Sequence, residues 1–258
     1  MFRRFLIPLA CACAMLAGAP ARAAPPPNVA AASDLKFALE EIATAFTRAT
    51  GDKVALAFGS SGNFARQIRQ GAPFAMFLSA DEALVEALAR DGLTRDAGDL
   101  YAIGRIVFFA PTGSPLVPEA DLASLKRAVA AGRVTRFAIA NPEHAPYGRA
   151  AKEALQSAGI WEAIEPRLVL GENVSQAAQF ATTGGADGGL FAYSLALAPA
   201  VGAKGKYALI PESAHKPLRQ RMVLLRGADP VAERFYAFVK GPDARAILDR
   251  YGFTLPTR

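Results

Sequence analysis

From residue 28 onward, short apolar runs of strand length alternate with segments whose apolar residues recur at three- and four-residue steps. Residues 29–32 read as a buried strand, and Leu35, Leu39, Ile42 and Phe46 then mark one face of a helix that Gly51 stops. Residues 53–58, 76–78 and 106–110 read as further strands. Phe64 with Ile68 and Leu84, Val85 with Leu88 mark the helices between them, the second preceded by Ser79-Ala80-Asp81-Glu82 at capping-box spacing. The later half continues with a helix near 122–129, a strand at 137–140, a loop at 141–146, a helix at 147–157, a strand at 168–170 and a helix at 174–183. Strands at 188–193, 207–210 and 222–225 and helices at 230–239 and 243–251 complete the pattern. This alternation predicts an α/β fold.

The first residues break the pattern. Arg3 and Arg4 precede an apolar run over 5–16, and Ala21-Arg22-Ala23 follows, which predicts a secretory signal peptide over residues 1–23 and a mature chain in the periplasm. The run is shorter than the roughly 20 residues that span a bilayer. Leu9-Ala10-Cys11 offers a lipidation site as an alternative, at the expense of a shortened apolar core. Cys11 and Cys13 are the only cysteines, so the mature chain has no thiol to pair and depends on its core. Its length suits one large or two modest domains. Loss of Arg3, Arg4 and Arg22 lowers the formal charge of +6 by three. The remaining Lys and Arg are interspersed with acids, without the basic stripe of a nucleic-acid surface.

Four places share one arrangement, in which a strand ends, a small or polar residue follows and a helix begins: Ser33-Asp34, Ser61-Gly62, Tyr147-Gly148 and Asn173-Val174. First-turn N–H groups lack intrahelical partners and carry partial positive charge, so converging helix starts bind an anion without a charged side chain. The competing reading is that Ser33, Ser61 and Asn173 only cap helices. Catalytic constellations are sparse: there is no Gly-x-Ser-x-Gly elbow and no His-Glu-x-x-His, and Ser60-Ser61 has no evident histidine partner. His144 and His215 fall in Pro-rich polar loops and read as surface residues, while Glu40-Glu41 and Asp81-Glu82 read as a solvated face and a helix cap.

Several blocks in order, Ala31-Ala32-Ser33, Phe58-Gly59-Ser60-Ser61-Gly62, Leu78-Ser79-Ala80-Asp81, Asn141-Pro142-Glu143-His144-Ala145-Pro146-Tyr147-Gly148 and Gly171-Glu172-Asn173-Val174, resemble the periplasmic molybdate-binding proteins of ABC transporters. The resemblance extends to Tyr251-Gly252-Phe253 and so covers nearly the whole mature chain. It implies a two-lobed type II periplasmic-binding-protein fold, each lobe a mixed sheet flanked by helices, with a hinge between them. Lobe I would comprise residues 24–106 plus 220–258 and lobe II residues 107–219. Carried over position by position, Ser33 and Ser61 would bind the anion through hydroxyl and backbone N–H, Tyr147 and Val174 through backbone N–H, and Asp34 through its N–H with the carboxylate turned outward. All contact oxygens of the oxyanion; none is a cation ligand. The tyrosine hydroxyl that some family members add falls on Ala192, and the neighbouring Tyr193 reads as a core or edge aromatic outside the site.

The resemblance further implies molybdate or tungstate as ligand, no cofactor, no catalysis, a monomer, and an inner-membrane ABC permease with its ATPase as partner. Fully ionised molybdate only accepts hydrogen bonds, which suits a site of donors alone. Sulfate has the same hydrogen-bonding chemistry in a smaller tetrahedron, and monoprotonated phosphate needs an acceptor as well. A receptor for one of these anions, or a secreted hydrolase using Ser61, is the alternative.

Overall fold

The computed structural model describes residues 25–257; the predicted leader lies outside the described residues. Ten strands form two five-stranded sheets. The first contains β1 (Asn28–Ala32), β2 (Ala55–Gly59), β3 (Met76–Ser79), β4 (Asp99–Gly104) and β10 (Leu218–Leu224), in the order β2-β1-β3-β10-β4. The second contains β5 (Ile106–Pro111), β6 (Phe137–Ala140), β7 (Leu168–Gly171), β8 (Gly188–Ala192) and β9 (Gly205–Leu209), in the order β7-β6-β8-β5-β9. Both sheets are mixed: β1 is parallel to β2 and β3 while β10 runs antiparallel to β3 and β4, and β6 is parallel to β7 and β8 while β5 is antiparallel to β8 and β9.

The apolar runs are continuous because both faces of each sheet are covered by helices. In β3, Met76 and Leu78 pack with Leu39, Ile42, Phe46 and Phe235 beneath the helices Lys36–Thr50 and Pro230–Lys240. The intervening Phe77 faces Phe64, Ile68 and Leu88, beneath the helices Ser61–Arg69 and Glu82–Arg90. A separate core surrounds Phe108, Phe109, Phe137 and Phe191 in the second sheet. Each fully buried phenylalanine contributes roughly 1.5–3 kcal/mol. The two sheets with their helices are the two lobes, and no helix among the described residues is long and apolar enough to cross a membrane.

The chain leaves the first sheet at Gly104 and enters the second at Ile106, then returns between β9 and β10. Gly104 pairs with Leu218, so the outgoing and returning segments lie side by side. Several details differ from the sequence pattern, among them the unexpected short helices Trp161–Ile164 and Pro199–Gly202. β4 was not among the expected strands, and β10 begins at Leu218 rather than 222. Tyr193 does not end β8; it opens the short helix Tyr193–Leu197, where its ring packs on Tyr207. Ser79, the first residue of the capping-box spacing, is the last residue of β3 and does not cap the next helix, whereas Asp81, also read as a cap, does so by accepting from the Ala83 N–H at 3.0 Å.

Candidate functional site

The four strand-to-helix junctions all lie at carboxyl ends of strands, where open α/β sheets place their ligands. Ser33 follows β1 in a turn of 3-10 helix, Ser61 begins its helix after β2, Tyr147 is the second residue of the helix Pro146–Ser157 beyond β6, and Val174 begins the helix Val174–Thr182 after β7. Ser33, Asp34, Ser61, Tyr147 and Val174 line one small, nearly closed pocket between the lobes, about 10 Å³, together with Ala32, Gly59, Ser60, Ala80, Ala145 and Pro146. No lysine, arginine or histidine lines it. A wider cavity, about 590 Å³, is the neighbouring cleft mouth past Lys36, Phe37 and Gln179 and lacks this convergence of helix starts.

The backbone N–H groups of Ser61, Tyr147 and Val174 make no hydrogen bond to protein among the described residues, as expected of first-turn donors. The Ser61 hydroxyl accepts from the Ala80 N–H at 3.0 Å, which occupies a lone pair and leaves its proton to donate. Ser61 is not a cap. Ser60 holds that position, accepting from the Asn63 N–H at 3.4 Å. Nor does Ser33 cap a helix: its hydroxyl donates to Asn173 Oδ1 at 3.0 Å and accepts from the Ser175 N–H at 3.2 Å, bridging the lobes. Only Asn173 caps, accepting from the Gln176 N–H at 3.1 Å.

The Asp34 carboxylate departs from its expected outward course. It is buried, because the 3-10 turn tucks Ser33, Asp34 and Leu35 inward together. Its Oδ2 accepts from the Tyr147 hydroxyl at 3.0 Å and from Gln220 Nε2 at 2.7 Å, and its Oδ1 has no protein partner. Burial pushes its pKa up to about 6, against the opposing effect of the Gln220 and Tyr147 hydrogen bonds. Burial, reinforced by the Asp34 charge, holds the Tyr147 and Tyr101 phenols well above their ordinary value, so both remain neutral donors. Tyr101 donates to Gln220 Oε1 at 2.6 Å and thereby fixes the amide with its nitrogen toward Asp34. A Cβ on Gly104 would fall 2.2 Å from the Tyr147 hydroxyl oxygen, so only glycine admits the phenol at this crossing.

Both histidines lie off the surface where the sequence placed them, because their loops fold inward. His144 Nδ1 lies 3.0 Å from Ser60 Oγ across the cleft, and its Nε2 lies 3.6 Å from Glu172 of its own lobe. His215 is 8% exposed and donates from Nδ1 to the Lys216 carbonyl at 2.8 Å. Ser60 thus has a histidine neighbour that the sequence did not reveal, but Ser61, the residue considered as a nucleophile, has none. Gln220 and the Tyr147 phenol were also missed; the one signal was the inward parity of Gln220 between Leu218 and Met222. No group of three His, Cys, Asp or Glu side chains among the described residues could hold a metal cation.

A hinged pair of α/β lobes with converging, uncharged donors in the cleft defines a solute-binding protein. The model of the bacterial extracellular solute-binding protein family matches residues 27–254, and the chain belongs to that family. The molybdate-binding protein ModA of Rhodobacter capsulatus is 39% identical over 229 residues, 87% of this chain and 86% of that one. ModA of Azotobacter vinelandii is 35% identical over 231 residues, 88% and 89% of the two chains. The solved periplasmic molybdate-binding protein of Azotobacter vinelandii superposes with a TM-score of 0.80 at 30% identity, covering 90% of this chain and 100% of its own.

Proposed function

We propose that the protein is the periplasmic receptor of a molybdate importer, binding the tetrahedral oxyanion between its lobes. The observation that carries this reading is the donor set: Ser33, Asp34, Ser61, Tyr147 and Val174, from both lobes, line one pocket without a cationic side chain. Molybdate and tungstate are fully ionised near neutral pH and accept at every oxygen, so neutral donors from converging helix starts match them. The likeness to molybdate-binding proteins over most of the chain supports the same ligand. On this reading Ser61 gives hydroxyl and N–H donors, Ser33 gives its N–H and, once its hydroxyl turns away from Asn173 Oδ1, a hydroxyl donor as well, Asp34, Tyr147 and Val174 give backbone N–H groups, and no residue coordinates the metal centre directly. The protein performs no catalysis, needs no cofactor and acts as a monomer. The closed form docks on a membrane permease whose ATPase drives import, and export to the periplasm follows from the leader over residues 1–23.

The test is calorimetric titration of the ligand-stripped mature protein with molybdate, repeated in excess sulfate and phosphate. One-to-one binding that survives both competitors is the expected result. Absence of molybdate heat, with an unchanged Tm, refutes the assignment and directs attention to the other anions.

A further inference from the structure

We propose that Tyr147 has a second role, as a positioning residue: its phenol, seated between Asp34 and Gln220 beside both chain crossings, is the pivot that keeps the lobe II donors in register with Ser33 and Asp34 as the cleft opens and closes. The inference rests on the oxyanion reading of the pocket and concerns an atom of Tyr147 that the ligand does not need.

Tyr147 belongs to lobe II through the helix Pro146–Ser157, yet its hydroxyl ends inside lobe I. Asp34 and Gln220 receive it there, with Gln220 Nε2 3.0 Å from the hydroxyl oxygen as well as 2.7 Å from Asp34 Oδ2. All three groups are buried. Gly104, whose absent Cβ makes room for the phenol, ends the outgoing strand, and Gln220 lies two residues into the returning one. The phenol is therefore lodged against the two segments about which the lobes must rotate. A contact beside a rotation axis moves little when the lobes turn, whereas contacts at the cleft mouth must break. The mouth contacts are of the second kind: Asn63 with Glu172, Arg149 with Asp81, and Ser60 with His144 all involve more exposed partners. Tyr147 thus joins two functions in one residue. Its backbone N–H lines the pocket, and its side chain ties that N–H to the opposite lobe, so the donor is held at the bound geometry and little ordering remains when ligand arrives.

Tyr147→Phe keeps the backbone N–H and the ring while deleting the pivot bond. The expected result is dissociation of radiolabelled molybdate, chased with unlabelled molybdate, about tenfold faster than wild type, with association within about threefold. Gln220→Met, which touches neither ligand nor lobe II backbone, is expected to speed dissociation in the same direction, by about threefold, and it serves if Tyr147→Phe does not fold. Adding Gln220→Met to Tyr147→Phe is expected to change the rate little further, because both act through Asp34. Wild-type dissociation in the folded variant tested overturns the pivot, as does a loss of affinity arising wholly from slower association. If wild type itself fails to bind molybdate, the functional assignment has failed instead.

Discussion

The two halves of the pocket are built on different plans. Lobe I presents side chains, the hydroxyls of Ser33 and Ser61 beside their own N–H groups, together with the pocket's one carboxylate on Asp34. Lobe II presents buried Tyr147 and Val174, whose backbone N–H groups are the donors of the proposed reading while their side chains serve the core or the opposite lobe. On the proposed reading, half of the recognition is written in residue chemistry and half in where helices begin, and the halves are expected to respond to different kinds of mutation.

The largest effect is expected from Ser61→Pro, which deletes hydroxyl and N–H together. Proline suits the first helical position, and the extended Ser60 (φ −80°, ψ 141°) tolerates a following proline, so the helix persists. Two charge-assisted hydrogen bonds are lost, about 3 kcal/mol or more and hence upward of roughly a hundredfold in molybdate Kd. Calorimetry with an unchanged Kd would remove Ser61 from the site.

The charge asymmetry between lobes is probed by Asp34→Asn in the ligand-free protein. Folding raises the Asp34 pKa from 3.8 to about 6, so the folded state holds the proton more tightly. The sign follows by linkage: full stability is present below pH 4 and is lost as pH rises through 6, by on the order of 3 kcal/mol at neutral pH. Asparagine removes that slope. Urea unfolding from pH 4 to 8 is expected to show the variant gaining about 2–3 kcal/mol on wild type toward neutrality; parallel profiles would mean that Asp34 does not titrate in this window.

The smallest effects sharpen the lobe II half. Val174→Pro deletes a backbone donor at a first helical position and is expected to weaken binding by about 10- to 30-fold. Val174→Ala keeps the donor, so affinity stays within about threefold while stability falls by about 1–2 kcal/mol for the lost methyl groups. Equal affinities for the two variants would assign the contact elsewhere.

Most of the fold was legible because hydrophobic period decides whether a segment lies on a sheet or a helix: β6, buried on every residue, matches the expected strand residue for residue. β4, an edge strand, escaped although Leu100 to Ile103 is an apolar run as long as that of β6, because periodicity alone does not identify so short a run as a strand. The four junctions were legible in the local strand-to-helix grammar, since each is encoded within a few residues, but that Ser33, Asp34, Ser61, Tyr147 and Val174 line one pocket was implied only by the resemblance. Long-range side-chain pairings were not. Asp34 meets Tyr147 and Gln220 from 113 and 186 positions away, and no local pattern announces such a partner.

The position of β10 has a consequence for the order of assembly. It is the last strand among the described residues, yet it is inserted between β3 and β4, and the one further β partner of β4, a bridge from Ile103 to Thr254, comes later still in the chain. As the polypeptide emerges from the ribosome, the first lobe therefore stays unfinished until residues near 224 are available, while the second can close once β9 is made. Such sequence-distant pairing folds slowly. A newly made chain would thus remain loose for most of its synthesis, the condition in which a precursor threads through a translocation pore before it locks.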